Sequence, residues 1–315
     1  MEWQFRCPRD HGSLEKRDDL LICANCGTAY PIISGVPVLI NDANSVFAVA
    51  DYAESAGYWG ASYGQASDTT RGVRRVVRRS FHWLAQSNSS IRHLSWADAL
   101  EQVRQIVPEP RVLVVGSGGQ DYRVPGVDVL HTDVAFGPHV EVLADAHDIP
   151  IPDRQIDLVL AIAVLEHVAD PQRCVAEIQR VLKPGGYVYA ITPFLQPVHM
   201  GAYDFTRFTP LGHRRLFRWF DVIDAGVSTG IGSVAAWTVS AFLQSISGRR
   251  FWRRFSRATA LLCTPPLRKL DRWLAAPAHF DAAGSMYLFG KLRSEPVPDR
   301  RLIQDYRGGY RRPVA

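Results

Sequence analysis

The chain has 315 residues, 47% of them hydrophobic and 21% charged, and a formal net charge of +5. That length accommodates one large domain and a small one, and the composition excludes a globally disordered or fibrous chain. The positive balance is modest, so it excludes little by itself.

In chain order, residues 1–42 read as a small unit of short apolar runs separated by turn signals at Asn25–Gly27 and Ser34–Gly35. Residues 43–105 read as a linker with helical parts, ending in a helix over Ser95–Val107 with Ser95 as its cap and Pro108 as its stop. Residues 106–230 then alternate strand and helix. Arg111–Val115 is a fully apolar strand running into the glycine turn Gly116–Gly119, and Val127–Leu130, Val140–Leu143 and Ile156–Ala163 are further strands. Pro171–Leu182 has helical spacing and stops at Pro184-Gly185-Gly186, Tyr187–Thr192 is a fifth strand, Leu211–Phe220 a helix and Phe220–Asp224 a sixth strand. Residues 231–294 read as an arginine-rich helical insertion closed by a last strand, Ser285–Leu292, and 295–315 as a polar, mobile tail. Continuous apolar strands separated by helices predict an α/β fold with a parallel sheet covered on both faces.

Met1–Asp10 carries charges and a cysteine where a secretory leader needs an apolar core. The longest apolar stretch, Ile231–Ile246, is interrupted by Ser, Thr and Gln. The expectation is a cytoplasmic protein. In a reducing compartment the clustering of Cys7, Cys23 and Cys26 points to metal rather than to disulfides. Arginines gather in 71–79, 249–257 and 307–312. Such clusters attract phosphate, acidic glycans or a membrane surface, or simply form a solvated cationic face.

Two features carry nucleotide chemistry. Val112–Gln120 (VLVVGSGGQ) is a strand ending in Gly-x-Gly, which lets backbone approach a ligand. Asp133 follows the second strand, 17 residues beyond Gly116, where a carboxylate can accept hydrogen bonds from both ribose hydroxyls. A third stretch adds, in order, Asp145-Ala146, Ile149-Pro150-Ile151, Ile156-Asp157-Leu158-Val159, Leu165-Glu166-His167-Val168, Asp170-Pro171 and Arg180-Val181-Leu182-Lys183-Pro184-Gly185-Gly186. This ordered set resembles the class I S-adenosylmethionine-dependent methyltransferases of type 11. The resemblance implies a Rossmann-like seven-stranded sheet with its last strand antiparallel, and a site for S-adenosylmethionine. Gly116, Ser117 and Gly118 would contact the methionine end, Asp133 the ribose, Asp145 with Ala146 the adenine, and Val164 and Leu165 would line the pocket. The chain departs from the pattern at Val114, where the family carries an acidic residue, and at Gln120, where it carries a third glycine.

The loop Thr192–Pro210 follows the fifth strand, at the sheet edge where open α/β folds bind ligands. Its pattern His199-x4-Asp204-x2-Arg207-Phe-Thr resembles a subset of these enzymes from bacterial glycan and secondary-metabolite pathways. It offers His199 as a base for a hydroxyl acceptor, Asp204 to orient it, and Arg207 to bind an anionic acceptor or to pair with Asp204 and stiffen a lid. Glu166 and His167 read as pocket wall. The expected acceptor is a sugar, a glycan intermediate or a related small metabolite. RNA methylation and a non-catalytic scaffold are the competing readings. Against RNA, the arginines are not interleaved with a base-stacking platform.

In the first unit, Cys7-Pro-Arg-Asp10-His11 and Cys23-Ala-Asn-Cys26-Gly resemble the small zinc-ribbon proteins of the tRNA-methyltransferase-activator family. That implies a structural zinc held by Cys7, Cys23, Cys26 and either Asp10 or His11, since Asp10 stands where the second cysteine of a knuckle belongs. Finally, Trp237, Phe242, Leu243, Phe251, Trp252 and Phe255 lie among arginines. They fit a helical cap packed on the core, or an interfacial surface for a lipid-linked acceptor.

Overall fold

The computed structural model describes residues 3–54, 91–246, 252, 266–274 and 277–309. The arginine cluster 71–79, most of the cluster 249–257, Phe251, Phe255 and Arg311–Arg312 lie outside the described residues.

The chain opens with an antiparallel meander, β1 (Leu14–Arg17), β2 (Leu20–Cys23), β3 (Ala29–Ile33) and β4 (Val36–Leu39), followed by a short helix α1 (Val49–Glu54). Helix α2 (Trp96–Arg104) begins at a capping box in which the Ser95 hydroxyl accepts from the Asp98 amide while the Asp98 carboxylate accepts from the Ser95 amide. The alternating section gives β5 (Arg111–Val115), β6 (Asp128–Asp133), β7 (Val142–Ala144), β8 (Ile156–Ile162), α3 (Pro171–Val181), β9 (Leu182–Pro193), α4 (Pro210–Leu216) and β10 (Phe220–Thr229). Between β10 and the final strand β11 (Ser285–Leu292), the described residues include α5 (Ile231–Ser245), a 3-10 turn at Asp271–Trp273 and α6 (Pro277–Asp281).

The strands lie in the order β1-β2-β3-β4-β7-β6-β5-β8-β9-β11-β10, with β11 antiparallel to both neighbours. Among the described residues the sheet therefore has eleven strands and not seven. The reason is a parallel pairing of β4 with β7, Val38 opposite Leu143 and Leu39 opposite Ala144, which makes the N-terminal meander continuous with the central sheet.

The alternation of side chains along the central strands explains why they are apolar throughout. Leu113 and Val115 of β5, with Val159 and Ala161 of β8, face the core that holds Cys174, Val175, Ile178 and Val181 of α3. Val112 and Val114, with Leu158 and Leu160, face the opposite core, where Ala99, Leu100 and Val103 of α2 pack. Both faces of β5 and β8 are buried, which is why both register positions of these two strands are mostly apolar.

After β11 the chain does not trail away. It forms α7 (Asp299–Gln304), whose Leu302 is buried, while Asp299 lies 3.2 Å from Arg215 and 3.3 Å from Arg218. Two buried apolar side chains, Val297 and Leu302, and a pair of arginines dock the described part of the segment expected to be a tail. Among the described residues, no helix is long and apolar enough to cross a membrane.

Candidate functional site

The carboxyl ends of β5, β6, β7 and β8 surround a cavity of about 260 Å³, the place an open α/β sheet offers a ligand. Gly116 and Gly118 form one wall. Both have positive φ, 64° and 58°, which glycine adopts without strain. Gly116 is also sterically required, because a Cβ there would lie 2.9 Å from Val164 Cβ and closer still to Cγ2, whereas a Cβ on Gly118 would meet open space. Across the turn Ala163 holds φ of 53°, an uncommon conformation for a residue with a Cβ, fixed by its amide donating to Ile191 O at 2.9 Å.

Asp133 ends β6 at the cavity. One carboxylate oxygen accepts from the Gly118 amide at 2.8 Å and the other from the Ala135 amide at 3.0 Å, so the carboxylate sets the turn's shape at the cavity wall. Asp145 and Ala146 line the far side. Burial alone would raise the Asp145 carboxyl, but hydrogen bonds from His147 and Ser45 hold it below the usual carboxylate range. The Asp170 amide donates to His147 Nε2 at 2.9 Å, which places the ring hydrogen on Nδ1, 2.5 Å from Asp145.

Of the residues expected to hold a cofactor, Gly116, Gly118, Asp133, Asp145, Ala146 and Val164 all line this cavity. Ser117 and Leu165 do not: Ser117 is 1% exposed and Leu165 is fully buried in the core. Val114 packs in the opposite core, so no carboxylate stands at that position. The sequence reading missed Val46 and Phe47, which cross the cavity from the N-terminal side, and Tyr203, whose ring stacks on Phe47 at 5.4 Å between centroids. Nothing in the local sequence marks Val46 and Phe47, which are placed by contacts made far along the chain, whereas Tyr203 lies in the loop Thr192–Pro210 already expected at the ligand edge.

Those contacts are specific. The amides of Asn41 and Asn44 both donate to Asp148 Oδ2, at 3.0 and 2.9 Å, and Arg173 donates to its other oxygen at 2.5 Å. The Tyr52 hydroxyl donates to Val134 O at 2.6 Å. Residues 41–52 are thereby strapped over the mouth of the sheet.

The other end of the cavity carries His167 and His199, whose Nε2 atoms are 3.0 Å apart. His167 Nδ1 donates to Tyr203 O at 2.7 Å, and His199 Nδ1 lies 3.5 Å from Asp204. Asp204 is paired with Arg207 through two contacts, one of 2.6 Å, and that pair keeps its carboxyl down at about 2 in spite of burial. Arg207 also donates to the carbonyls of Gln196, Pro197 and Thr206. Its guanidinium is thus engaged in holding the loop. Beneath the histidines, Glu166 is fully buried with both carboxylate oxygens lacking a hydrogen-bond partner, and burial pushes its carboxyl up to about 8.

A separate cluster lies in the N-terminal meander. Cys7, Asp10, Cys23 and Cys26 bring their ligand atoms within 4.8 Å of one another. The sulfurs of Cys7 and Cys26 are 3.7 Å apart, close to the edge of about 3.8 Å that a tetrahedron with bonds of about 2.3 Å requires. Asp10 faces Cys23 at 3.3 Å; His11 is exposed, with φ of 57°, and is outside the group.

Residues 116–190 match the family model of a methyltransferase domain. A probable S-adenosylmethionine-dependent methyltransferase of Mycolicibacterium smegmatis is 35% identical over 71 residues, covering 22% of this chain and 23% of that protein. A ubiquinone/menaquinone biosynthesis C-methyltransferase of Psychromonas ingrahamii is 37% identical over 73 residues, covering 22% of this chain and 29% of the relative. The chain thus spans less than a third of the length of these curated relatives. Among solved structures, a SAM-dependent methyltransferase from Thermotoga maritima superposes with a TM-score of 0.38 at 16% identity, covering 70% of this chain and 97% of the other.

Proposed function

We propose that this chain, which carries a methyltransferase domain over residues 116–190, methylates a hydroxyl group of a sugar, a glycan intermediate or a related small metabolite, using S-adenosylmethionine. The observation that carries the reading is a single cavity lined by a glycine turn, Asp133 and two histidines. When bound, the cofactor supplies an electrophilic methyl group.

The residues present fit that cofactor. Gly116 and Gly118 leave backbone exposed for the methionine end, Asp133 faces the ribose position, and Asp145 with Ala146 stands at the adenine end. Phe47, Val134 and Val168 supply apolar wall. Ser117 and Leu165 act from behind, through the backbone of the turn and the packing of the core. At the acceptor end, His199 accepts the hydroxyl's proton, Asp204 orients the ring, and Arg207 fixes Asp204. A ring carbon or hydroxyl of a quinone-type acceptor is the second reading, favoured by the similarity to quinone-biosynthesis methyltransferases.

Labelled methyl transfer into fractionated lysate, compared between the wild type and His199→Ala, tests this. Labelling of a small hydroxylated acceptor that drops in the variant is expected. Undiminished labelling removes His199 from the chemistry, and salt-sensitive labelling of RNA replaces the acceptor class.

For the N-terminal cluster we infer a structural zinc held by Cys7, Asp10, Cys23 and Cys26, supported by the spacing of the four ligand atoms. Metal analysis should then find zinc lost in Asp10→Ala and kept in His11→Ala.

A further inference from the structure

We propose that Glu166, His167 and His199 form a binding site for a divalent transition-metal cation at the acceptor end of the cavity. The argument starts from where hydrogens must be. Tyr203 O, 2.7 Å from His167 Nδ1, can only accept, so the His167 hydrogen sits on Nδ1 and Nε2 carries a bare lone pair. His199 Nδ1 lies 3.5 Å from the Asp204 carboxylate, a charge contact that favours hydrogen on Nδ1. With hydrogen on Nδ1 of both rings, the two Nε2 atoms, 3.0 Å apart, present their lone pairs to one point where a cation can bridge them; with hydrogen on His199 Nε2, His199 donates to His167 instead.

Glu166 completes the group. It is fully buried, neither carboxylate oxygen has a hydrogen-bond partner, and Oε1 is 3.7 Å from His167 Nε2. A buried carboxyl with neither oxygen partnered is uncommon, and a cation would supply the missing partner. All three ligand atoms lie within 4.8 Å of one another. Two metal–nitrogen bonds of about 2.1 Å meeting near a right angle place the nitrogens about 3.0 Å apart, the separation found here. Two imidazoles and one carboxylate on one face of an ion suit a borderline dication such as zinc, manganese or iron(II), and leave the opposite face open to an oxygen ligand. The loop is held over the site by the Phe205 and Thr206 amides, which donate to Glu166 O at 2.8 and 3.2 Å.

This inference rests on reading that end of the cavity as the acceptor's, and it changes how the acceptor is activated. With the ion bound, His199 would serve as its ligand in place of acting as the base, and the ion would lower the pKa of the acceptor hydroxyl, whose proton would pass to solvent water.

Cobalt(II) titrated into the metal-free full chain, followed by calorimetry and visible absorption, tests the site. The wild type should bind one more equivalent than either His199→Ala or Glu166→Gln, with the same fold by circular dichroism. The remaining equivalent, at the cysteine cluster, should be unchanged and marked by thiolate absorption. Asp204→Asn should weaken the extra equivalent by about tenfold or more, as loss of an orienting partner does. Equal stoichiometry and affinity in the wild type and both ligand variants would overturn the proposal. S-adenosylhomocysteine binding, measured in parallel, separates the two readings: cobalt lost in the variants while the wild type fails to bind that nucleoside supports the metal site and sinks the cofactor pocket.

Discussion

Gly116 and Val164 approach so closely that no side chain fits between them, and this contact joins the turn after β5 to the turn after β8. Gly116→Ala should therefore lower stability through both the clash and the positive φ, by about 2 kcal/mol, and weaken nucleoside binding. Val164→Ala added to it should restore part of the stability by making room, but not the part due to φ. Urea denaturation of the single and double variants checks this. Equal stability of the wild type and Gly116→Ala would show the approach to be looser than described.

The core of the fold was legible because the apolar runs of β5 and β8 are buried on both faces, and β5 and β11 occupy the residues expected. Boundaries failed where a rule competed with tertiary pairing. Pro184-Gly185-Gly186 reads as the stop of the helix before it, and α3 does end ahead of it at Val181, but β9 begins at Leu182 and not at Tyr187, because Ile156 pairs with Leu182 and Lys183 reaches Asp157 at 2.8 Å. The glycine turn, Asp133 and Asp145 were legible from ordered motifs. The strap was not, since Asn41 meets Asp148 across 107 positions and Ser45 meets Asp145 across 100. Glu166 carries no sequence signal of being buried and unpartnered. That emerges only when the loop carrying Tyr203 closes over it.

Asp148 should be the anchor of that strap. Asp148→Ala leaves the Asn41 and Asn44 amides and the Arg173 guanidinium without their acceptor, at a cost of about 2–3 kcal/mol. Limited proteolysis should then cut faster between residues 40 and 54 in the variant. Cleavage at the wild-type rate would mean that the parallel pairing of β4 alone holds the strap.

His213 should make the protein acid-sensitive. It is buried on α4 with Nε2 unpartnered, and burial, reinforced by Arg214, drives its imidazole down to about 3. The folded state stays unprotonated there while the unfolded chain takes up a proton below its ordinary value of about 6.5, so stability falls as pH drops from about 6.5 toward 3. The slope from this group approaches about 1.4 kcal/mol per pH unit within that window. Urea midpoints between pH 7 and 4 should decline less steeply in His213→Leu than in the wild type, and parallel declines would contradict the assignment.

Asp271 should hold the start of α5. It is buried and accepts from the Gly232 amide at 2.6 Å, the Ser233 amide at 3.1 Å and the Ser233 hydroxyl at 2.9 Å. Asp271→Ala removes these acceptors from the helix N-terminus and should cost about 1–3 kcal/mol. Gly232→Ala should be damaging as well, because its Cβ would sit 2.8 Å from Asp271 Oδ1 and against the Leu267 carbonyl. Amide exchange over residues 231–236 reads both effects directly, and unchanged protection in Asp271→Ala would show that α5 is held by its packing instead.

The most direct measurement is calorimetric titration of the full chain with S-adenosylhomocysteine, repeated on Asp133→Asn. The wild type should bind a single equivalent, and the variant should bind it at least about tenfold more weakly with its fold retained, since one charge-assisted acceptor is lost. No detectable binding by the wild type, or equal affinity in the two proteins, would contradict a nucleoside pocket formed by Gly116, Gly118 and Asp133.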